Sequence, residues 1–397
     1  MIGYELPKSW ITYNLNDIYQ EMIGAKSAIL SLQAIPYKRE WVEGMQYMEL
    51  KREVAGTSRI EGADFTDREL DEALKETPTQ LHTRSQKQAH AAIQTYRWIA
   101  TLPDDQPITA ELILEIHRKI VTGADDDHCP PGKLRGQDEN VNFGQPRHRG
   151  VNGGVDCEAT FNSFVEALKF EYPKHDKIIQ ALAAHYHLAA MHPFLDGNGR
   201  TARALEALLL QRAGLRDTCF IAMSNYYYDE KIQYLTSLSV SGEQVHNITP
   251  FLAFALKGIA IQSRRLLEQT RIHVQKELFR NLMRELFDRL KTPRKRVLAT
   301  RQVSLLELLL DRDSMEIDDL YELVKNYYKE LGNPQKAFIR DLNGLIYLKT
   351  LKMEREPKDK IILSVRLEWP TEATISTFME RIKALPKAKT RLLSINR

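Results

Sequence analysis

Apolar residues recur at three- and four-residue spacing over most of the chain. This periodicity predicts helices near 15–33, 38–59, 67–75, 84–101, 109–121, 158–170, 176–190 and 200–213. The stretch 176–190 is apolar nearly all round, as a central buried helix must be. From 123 to 157 the pattern breaks into Gly, Asp, Pro, Asn and His, which reads as a long surface loop with a short hairpin around 141–143. Compact domains rarely keep so long a loop without a functional reason. Periodicity returns as one long helix over about 251–290, with Leu278, Leu282 and Leu286 on one stripe and Thr292-Pro293 as its stop. Helices near 298–311, 315–328 and 333–346 follow. Two strand-like runs, 346–353 and 360–368, are then joined by a polar turn at 354–359. Three helices and a hairpin are the parts of a winged helix-turn-helix.

Chemistry concentrates between two of these helices, in Met191-His192-Pro193-Phe194-Leu195-Asp196-Gly197-Asn198-Gly199-Arg200-Thr201-Ala202-Arg203. The loop feeds a fresh helix N-terminus, where unpaired N–H groups and the helix dipole favour an anion. Gly197 and Gly199 allow close backbone approach, and Asn198 or Gly199 can cap the helix. Arg200 and Arg203 share a face, in a place where the dipole disfavours cations unless a polyphosphate binds there. Asp196 suits a hard cation such as Mg²⁺ that also touches phosphate oxygens. His192 is the nearby group whose ordinary pKa suits a general base.

Composition narrows the class. The chain has 397 residues, 43% hydrophobic and 27% charged, which suits two or three globular domains with full cores. Lys and Arg number 56 against 53 Asp and Glu, a net charge of +3, so no polybasic coat is expected. The charge is local instead: from Arg264 to Arg296 eleven Lys/Arg stand against four Asp/Glu. Cys129, Cys157 and Cys219 cannot all pair and show no C-x-x-C spacing, which suits a reducing, cytoplasmic setting. No leader-like or membrane-spanning apolar run is found, so no membrane partner is expected. His128, Cys129, His148 and Cys157 match no standard zinc spacing, and no P-loop sequence is present.

The stretch from His192 to Arg203 resembles the signature of the Fic (filamentation induced by cAMP) family, H-x-F-x-D/E-G-N-G-R-x-x-R, at every fixed position. Softer similarity extends over about 50–240. The resemblance implies a mainly α, Fic-type helical bundle with a β-hairpin flap, followed here by a C-terminal winged helix-turn-helix domain. It also implies an enzyme, a protein adenylyltransferase that moves AMP from ATP to a Ser, Thr or Tyr hydroxyl of a target protein with Mg²⁺. Carried over, His192 would be the base and Asp196 the metal ligand. Gly197, Asn198 and Gly199 would cradle the α- and β-phosphates, with Arg200 on the β- and Arg203 on the γ-phosphate. Phe194 would anchor the loop.

Upstream, Thr57-Ser58-Arg59-Ile60-Glu61-Gly62 resembles the family's inhibitory motif, S/T-x-x-x-E-G/N, in its N-terminal, class II position. That implies a Glu61 carboxylate paired with Arg203 and displacing the γ-phosphate. His185 is read as a packing or hydrogen-bonding residue. Tyr234 and Leu238 fit a Tyr-Tyr-x-x-Leu segment in which Tyr234 would line the adenine pocket, although Leu235 replaces the second tyrosine. Pro131-Gly132-Lys133-Leu134-Arg135 resembles the lead-in to the flap, but Val141-Asn142-Phe143-Gly144 stands two residues late, so target preference does not carry over.

The domains expected are an N-terminal helical region with the inhibitory motif (1–108), a Fic core (109–260), a basic helical linker (261–296), a winged helix-like domain (297–370) and a tail (371–397). Beside ATP and the target protein, DNA at the winged helix and a homodimer stay open as partners. A DNA-binding regulator that senses nucleotide, and Fic-type transfer or removal of another phosphate-linked group, are the alternative functions.

Overall fold

The computed structural model describes residues 2–35, 39–75, 81–144, 146–215, 221–290, 293–357 and 360–385. Two compact units divide at Glu268/Gln269, inside one helix. The first unit is helical: α1 (Leu15–Gln33), α2 (Arg39–Ile60), α3 (Asp67–Ala73), α4 (Arg84–Thr101), α5 (Ala110–Val121), α6 (Val155–Phe170), α7 (Lys177–Met191), α8 (Asn198–Arg212), α9 (Met223–Asp229), α10 (Lys231–Glu243) and the start of α11 (Thr249–Asp288). α7 lies at its centre, with Ile178, Ile179, Ala181, Leu182, Ala183 and Ala184 all buried. Its apolar circumference thus meets neighbours on every side, as its composition requires.

The expected long loop spans the gap between α5 and α6 and carries β2 (Asn142–Phe143) and β3 (His148–Arg149), which pair antiparallel. β1 (Ile2–Gly3) adds to the other edge of β3 in parallel, in the sheet order β1-β3-β2. Two residues carry too little periodicity for sequence to announce that strand. The periodicity does not announce α9 and α10 either.

The second unit contains the rest of α11, α12 (Pro293–Arg312), β4 (Ser314–Glu316), α13 (Ile317–Val324), α14 (Pro334–Tyr347), β5 (Leu351–Glu356), β6 (Lys360–Val365), α15 (Trp369–Glu372) and α16 (Ile375–Ala384). Its sheet runs β4-β6-β5, all antiparallel. Three expectations change here. The apolar stripe of α11 is Phe279, Met283, Leu286 and Phe287, all in the core, whereas Leu278 is 53% exposed. The stretch 261–296 is therefore no separate linker. Nor is 371–385 a tail, because Phe378 and Ile382 of α16 fill the same core.

Several cations of α11, and Arg289 just beyond its end, are paired within the unit. Lys276 pairs with Asp313, Arg280 with Glu277 and Asp311, Arg284 with Glu307, and Arg289 with Glu285. Among the described residues no helix is long and apolar enough to cross a membrane.

Candidate active site

α7 stops at His192, whose backbone is left-handed (φ 52°, ψ 60°). That conformation is uncommon for a residue with a Cβ and tends to mark a constrained site. His192 Nδ1 donates to the Ala189 carbonyl at 2.8 Å, so Nε2 carries the free lone pair. The Phe143 ring lies flat on the imidazole, with centroids 3.8 Å apart and planes 8° apart. Arg135, buried in the long loop, ties the turn down. Its Nε donates to the His192 carbonyl (2.8 Å), its Nη1 to the Glu139 carbonyl (2.5 Å), and its own N–H to the Pro193 carbonyl (2.9 Å).

Phe194 is buried and stacked on His117, with centroids 3.7 Å apart. His117 Nδ1 accepts from the Gly132 N–H (3.0 Å), so its Nε2–H donates to the Asp196 carbonyl (3.1 Å). The Asn198 side chain closes the loop on itself: Oδ1 accepts from the Phe194 N–H (2.9 Å) and Nδ2 donates to the Phe194 carbonyl (2.8 Å). The helix cap is Gly197 (φ 74°), not Asn198 or Gly199. A Cβ at Gly197 would come within 2.8 Å of Val121. The ladder of α8 begins with the Thr201 N–H on the Gly197 carbonyl, which leaves the preceding N–H groups of α8 without an intrahelical acceptor.

Arg203 is buried and held by three residues. Nε donates to Thr57 Oγ1 (2.9 Å), Nη2 to the Thr57 carbonyl (3.2 Å) and to Glu61 Oε1 (2.5 Å), and Nη1 to the Tyr234 hydroxyl (3.4 Å). Glu61 follows the last turn of α2, which Gly62 (φ 89°) closes with the Ala63 N–H on the Ser58 carbonyl. A carboxylate at a helix C-terminus opposes the dipole there, and pairing with Arg203, in the second turn of α8, offsets that penalty. The Glu61 oxygen lies where a Gly199 Cβ would stand, 2.4 Å from that position. Thus the carboxylate lies against Gly199 at the start of α8. Burial pushes the Glu61 pKa up, but Arg203 beside it outweighs this and holds it below the ordinary glutamate value.

Arg200 does not face the cavity. It is buried with Nη1 on Asp125 Oδ2 at 2.6 Å and Nη2 on Asp196 Oδ1 at 3.4 Å. Asp125 is itself fully buried and needs this charge; Arg84 Nε at 2.7 Å and Gln88 Nε2 at 2.9 Å complete its shell. Asp196 Oδ2 meets His128 Nε2 at 3.0 Å. Ligand atoms of Asp125, His128 and Asp196 lie within 4.8 Å of one another. With Asp125 consumed by arginines, Asp196 is the carboxylate of this cluster that lines the cavity. One carboxylate completed by phosphate oxygens is the set Mg²⁺ commonly takes, so the residues present fit that ion.

These groups line one cavity of about 280 Å³, whose walls include Glu61, His192, Asp196, Gly199, Arg203 and Tyr234. Ile2, Gly3 and Tyr4 line it too, carried in by β1. Burial pushes the His192 pKa down to about 4, so its imidazole is neutral near pH 7.

Burial also pushes His117 to about 4 and His187 to about 3, and both are 0% exposed. An unfolded chain titrates its histidines near pH 6.5, so below that pH it gains protons that these two refuse in the fold. Their contribution is complete above pH 6.5 and is lost as pH falls toward 4. At roughly 1.4 kcal/mol per pH unit per histidine, the pair is expected to remove about 3–4 kcal/mol of stability between pH 6 and 4.5. A series of urea midpoints checks this.

The sequence model of the Fic/DOC family matches residues 107–210, the span that holds α5, the long loop, α6, α7 and most of α8. The chain carries a Fic/DOC-family domain.

The protein adenylyltransferase Fic of Nematostella vectensis is 29% identical over 214 residues, 53% of this chain and 41% of that protein. That of Drosophila willistoni is 35% identical over 116 residues, 29% of this chain and 22% of that protein. The chain thus spans less than half the length of these relatives. A Fic family protein from Desulfovibrio desulfuricans shares the fold over 91% of this chain and 98% of its own, with a TM-score of 0.57 and 17% identity. Fic-1 (residues 134–508) of C. elegans does so over 64% of this chain and 73% of its own, with a TM-score of 0.51 and 20% identity.

His192, Asp196, Asn198, Gly199 and Arg203 of the Fic domain meet Glu61 and Tyr234 at the cavity, while Gly197, Thr57, Gly62 and Arg200 do not line it. Sequence reasoning misses Asp125, Arg84 and His117, which reach the loop from α4, α5 and the segment after it. Arg135 reads in sequence only as part of the flap lead-in. The four zinc candidates do not gather: His128 meets Asp196, Cys129 lies beside His117, His148 bonds Ser239, and Cys157 reaches the Pro193 carbonyl. Cys219 lies outside the described residues.

Proposed function

We propose that this chain is a Mg²⁺-dependent protein adenylyltransferase held off in its resting state by Glu61. The observation that carries the reading is the Glu61 carboxylate on Arg203 at the N-terminus of α8, in the cavity that His192 also lines. An internal anion there stands in for a phosphate group of ATP. With Glu61 withdrawn, the unpaired N–H groups that open α8 and the Arg203 guanidinium would bind the triphosphate. Asp196 would hold Mg²⁺, which neutralises phosphate charge when bound.

His192 Nε2 would take the proton of the target hydroxyl as its oxygen bonds to the α-phosphorus. The bond from that phosphorus to the β-phosphate oxygen breaks and pyrophosphate leaves. The Ala189 carbonyl and the Phe143 ring fix the imidazole so that Nε2 faces out. Arg200, on this reading, is not a β-phosphate ligand in the resting state but neutralises Asp125 and steadies Asp196.

The test is the fate of two labels in the Glu61→Gly protein. Label on the α-phosphate should stay with protein and label on the γ-phosphate should not. Retention of the γ-label instead would make the reaction a phosphate transfer and overturn the reading.

A further inference from the structure

Arg203 has two kinds of holder. Thr57 and Glu61 belong to one segment, α2 and the residue after its end, and the buried Thr57 stays on the guanidinium when the carboxylate alone is removed. Among the described residues, Tyr234 on α10 is the remaining hydrogen-bond partner of the guanidinium, and it lies outside that segment. A guanidinium only donates, so the Tyr234 oxygen must accept from Nη1.

Behind Tyr234 runs a buried chain that sets its hydroxyl. Tyr234 and His185 Nε2 are 2.9 Å apart, His185 Nδ1 meets Glu206 Oε2, and the Tyr227 hydroxyl donates to Glu206 at 2.9 and 3.0 Å. All four side chains are buried. The Glu206 carboxylate accepts, so Nδ1 of His185 carries the proton and Nε2 accepts from the Tyr234 hydroxyl. The Tyr234 lone pairs are thereby turned toward Arg203. Tyr227 stacks on the Tyr234 ring with centroids 4.7 Å apart, which covers one ring face.

We propose that Tyr234 is a positioning residue for Arg203, with its hydroxyl aimed by the Glu206–His185 pair, and that this chain of contacts lets the site distinguish a nucleoside triphosphate from a diphosphate. This rests on the adenylyltransferase reading and replaces the expectation that Tyr234 serves chiefly as a wall for adenine. A wall for the base would serve ATP and ADP alike. A holder of Arg203 serves only the nucleotide that reaches Arg203.

Calorimetric titration of Mg²⁺-ATP and Mg²⁺-ADP into full-length Glu61→Gly protein, with and without Tyr234→Phe, separates the two. The phenylalanine keeps the ring and removes the acceptor, so ATP affinity is expected to fall about ten-fold while ADP changes less than two-fold. Glu206→Gln, which weakens the aim without touching the cavity, is expected to shift ATP in the same direction by a smaller factor. Equal losses for both nucleotides, or no loss for either, would overturn the proposal and leave the enzyme reading standing. A Glu61→Gly parent that binds both nucleotides equally would defeat this proposal alone, whereas one that binds neither would defeat the enzyme reading itself, and this proposal with it.

Discussion

Glu61→Gly is expected to raise both ATP affinity and the rate of AMP transfer, by about 10–100-fold each, since a hydrogen bond to a charged group is worth roughly 1.5–3 kcal/mol. The gain arises because Arg203 is fully formed and buried but occupied: its Nη2 is 2.5 Å from the Glu61 oxygen. Removing the carboxylate opens one edge of the guanidinium, which Thr57 and Tyr234 still hold, and clears the space in front of Gly199. The same change should destabilise the protein without nucleotide, because a buried cation loses its counter-charge. The Glu61 side chain is 35% exposed, so the cost belongs below the range for a sealed pair, at about 1–3 kcal/mol. ATP should therefore restore the thermal midpoint of Glu61→Gly by a larger shift than it gives the wild type. Scintillation counting of α-labelled protein and thermal scans with and without Mg²⁺-ATP report the two halves. A variant that neither labels nor binds faster or tighter than wild type sinks the brake.

His192→Ala in the Glu61→Gly background is expected to lower transfer by about 10²–10⁴-fold, the usual share of general-base assistance. ATP affinity should change little, since the hydrogen bond of His192 goes to its own helix turn rather than to the groups that would meet phosphate. The pH profile adds an independent sign. With its pKa depressed to about 4, the imidazole is already neutral at pH 6, so the active form persists and the rate should fall only on the acid side as pH approaches that value. Initial rates from pH 4.5 to 8, normalised to bound nucleotide, measure this. Undiminished labelling by His192→Ala would remove the histidine from the reaction.

Much of the first unit is legible in the chain itself. Its helices follow from their periodicity, and the junction between α7 and α8 is marked by its glycines, arginines and histidine. The Glu61–Arg203 pair can be anticipated only through family resemblance, because nothing in spacing brings residues 142 positions apart together.

What stays hidden shares that cause. Asp125 sits in an irregular loop with no pattern of its own, yet it claims Arg200 and so turns an expected phosphate ligand inward. Arg135 looks like flap sequence and proves to be the staple under His192. In α11 the eye follows the leucines Leu278 and Leu282, whereas packing favours Phe279 and Met283, one position later. Local pattern identifies which helix is amphipathic; which edge of the stripe is buried depends on partners it does not encode.

On the proposed reading the guard on Arg203 belongs to the same polypeptide, so its local concentration is set by the fold and not by how much protein is present. Dilution or abundant expression should leave the fraction of guarded molecules unchanged. What can shift it is ligand competition at the start of α8, or a force that draws the end of α2 aside.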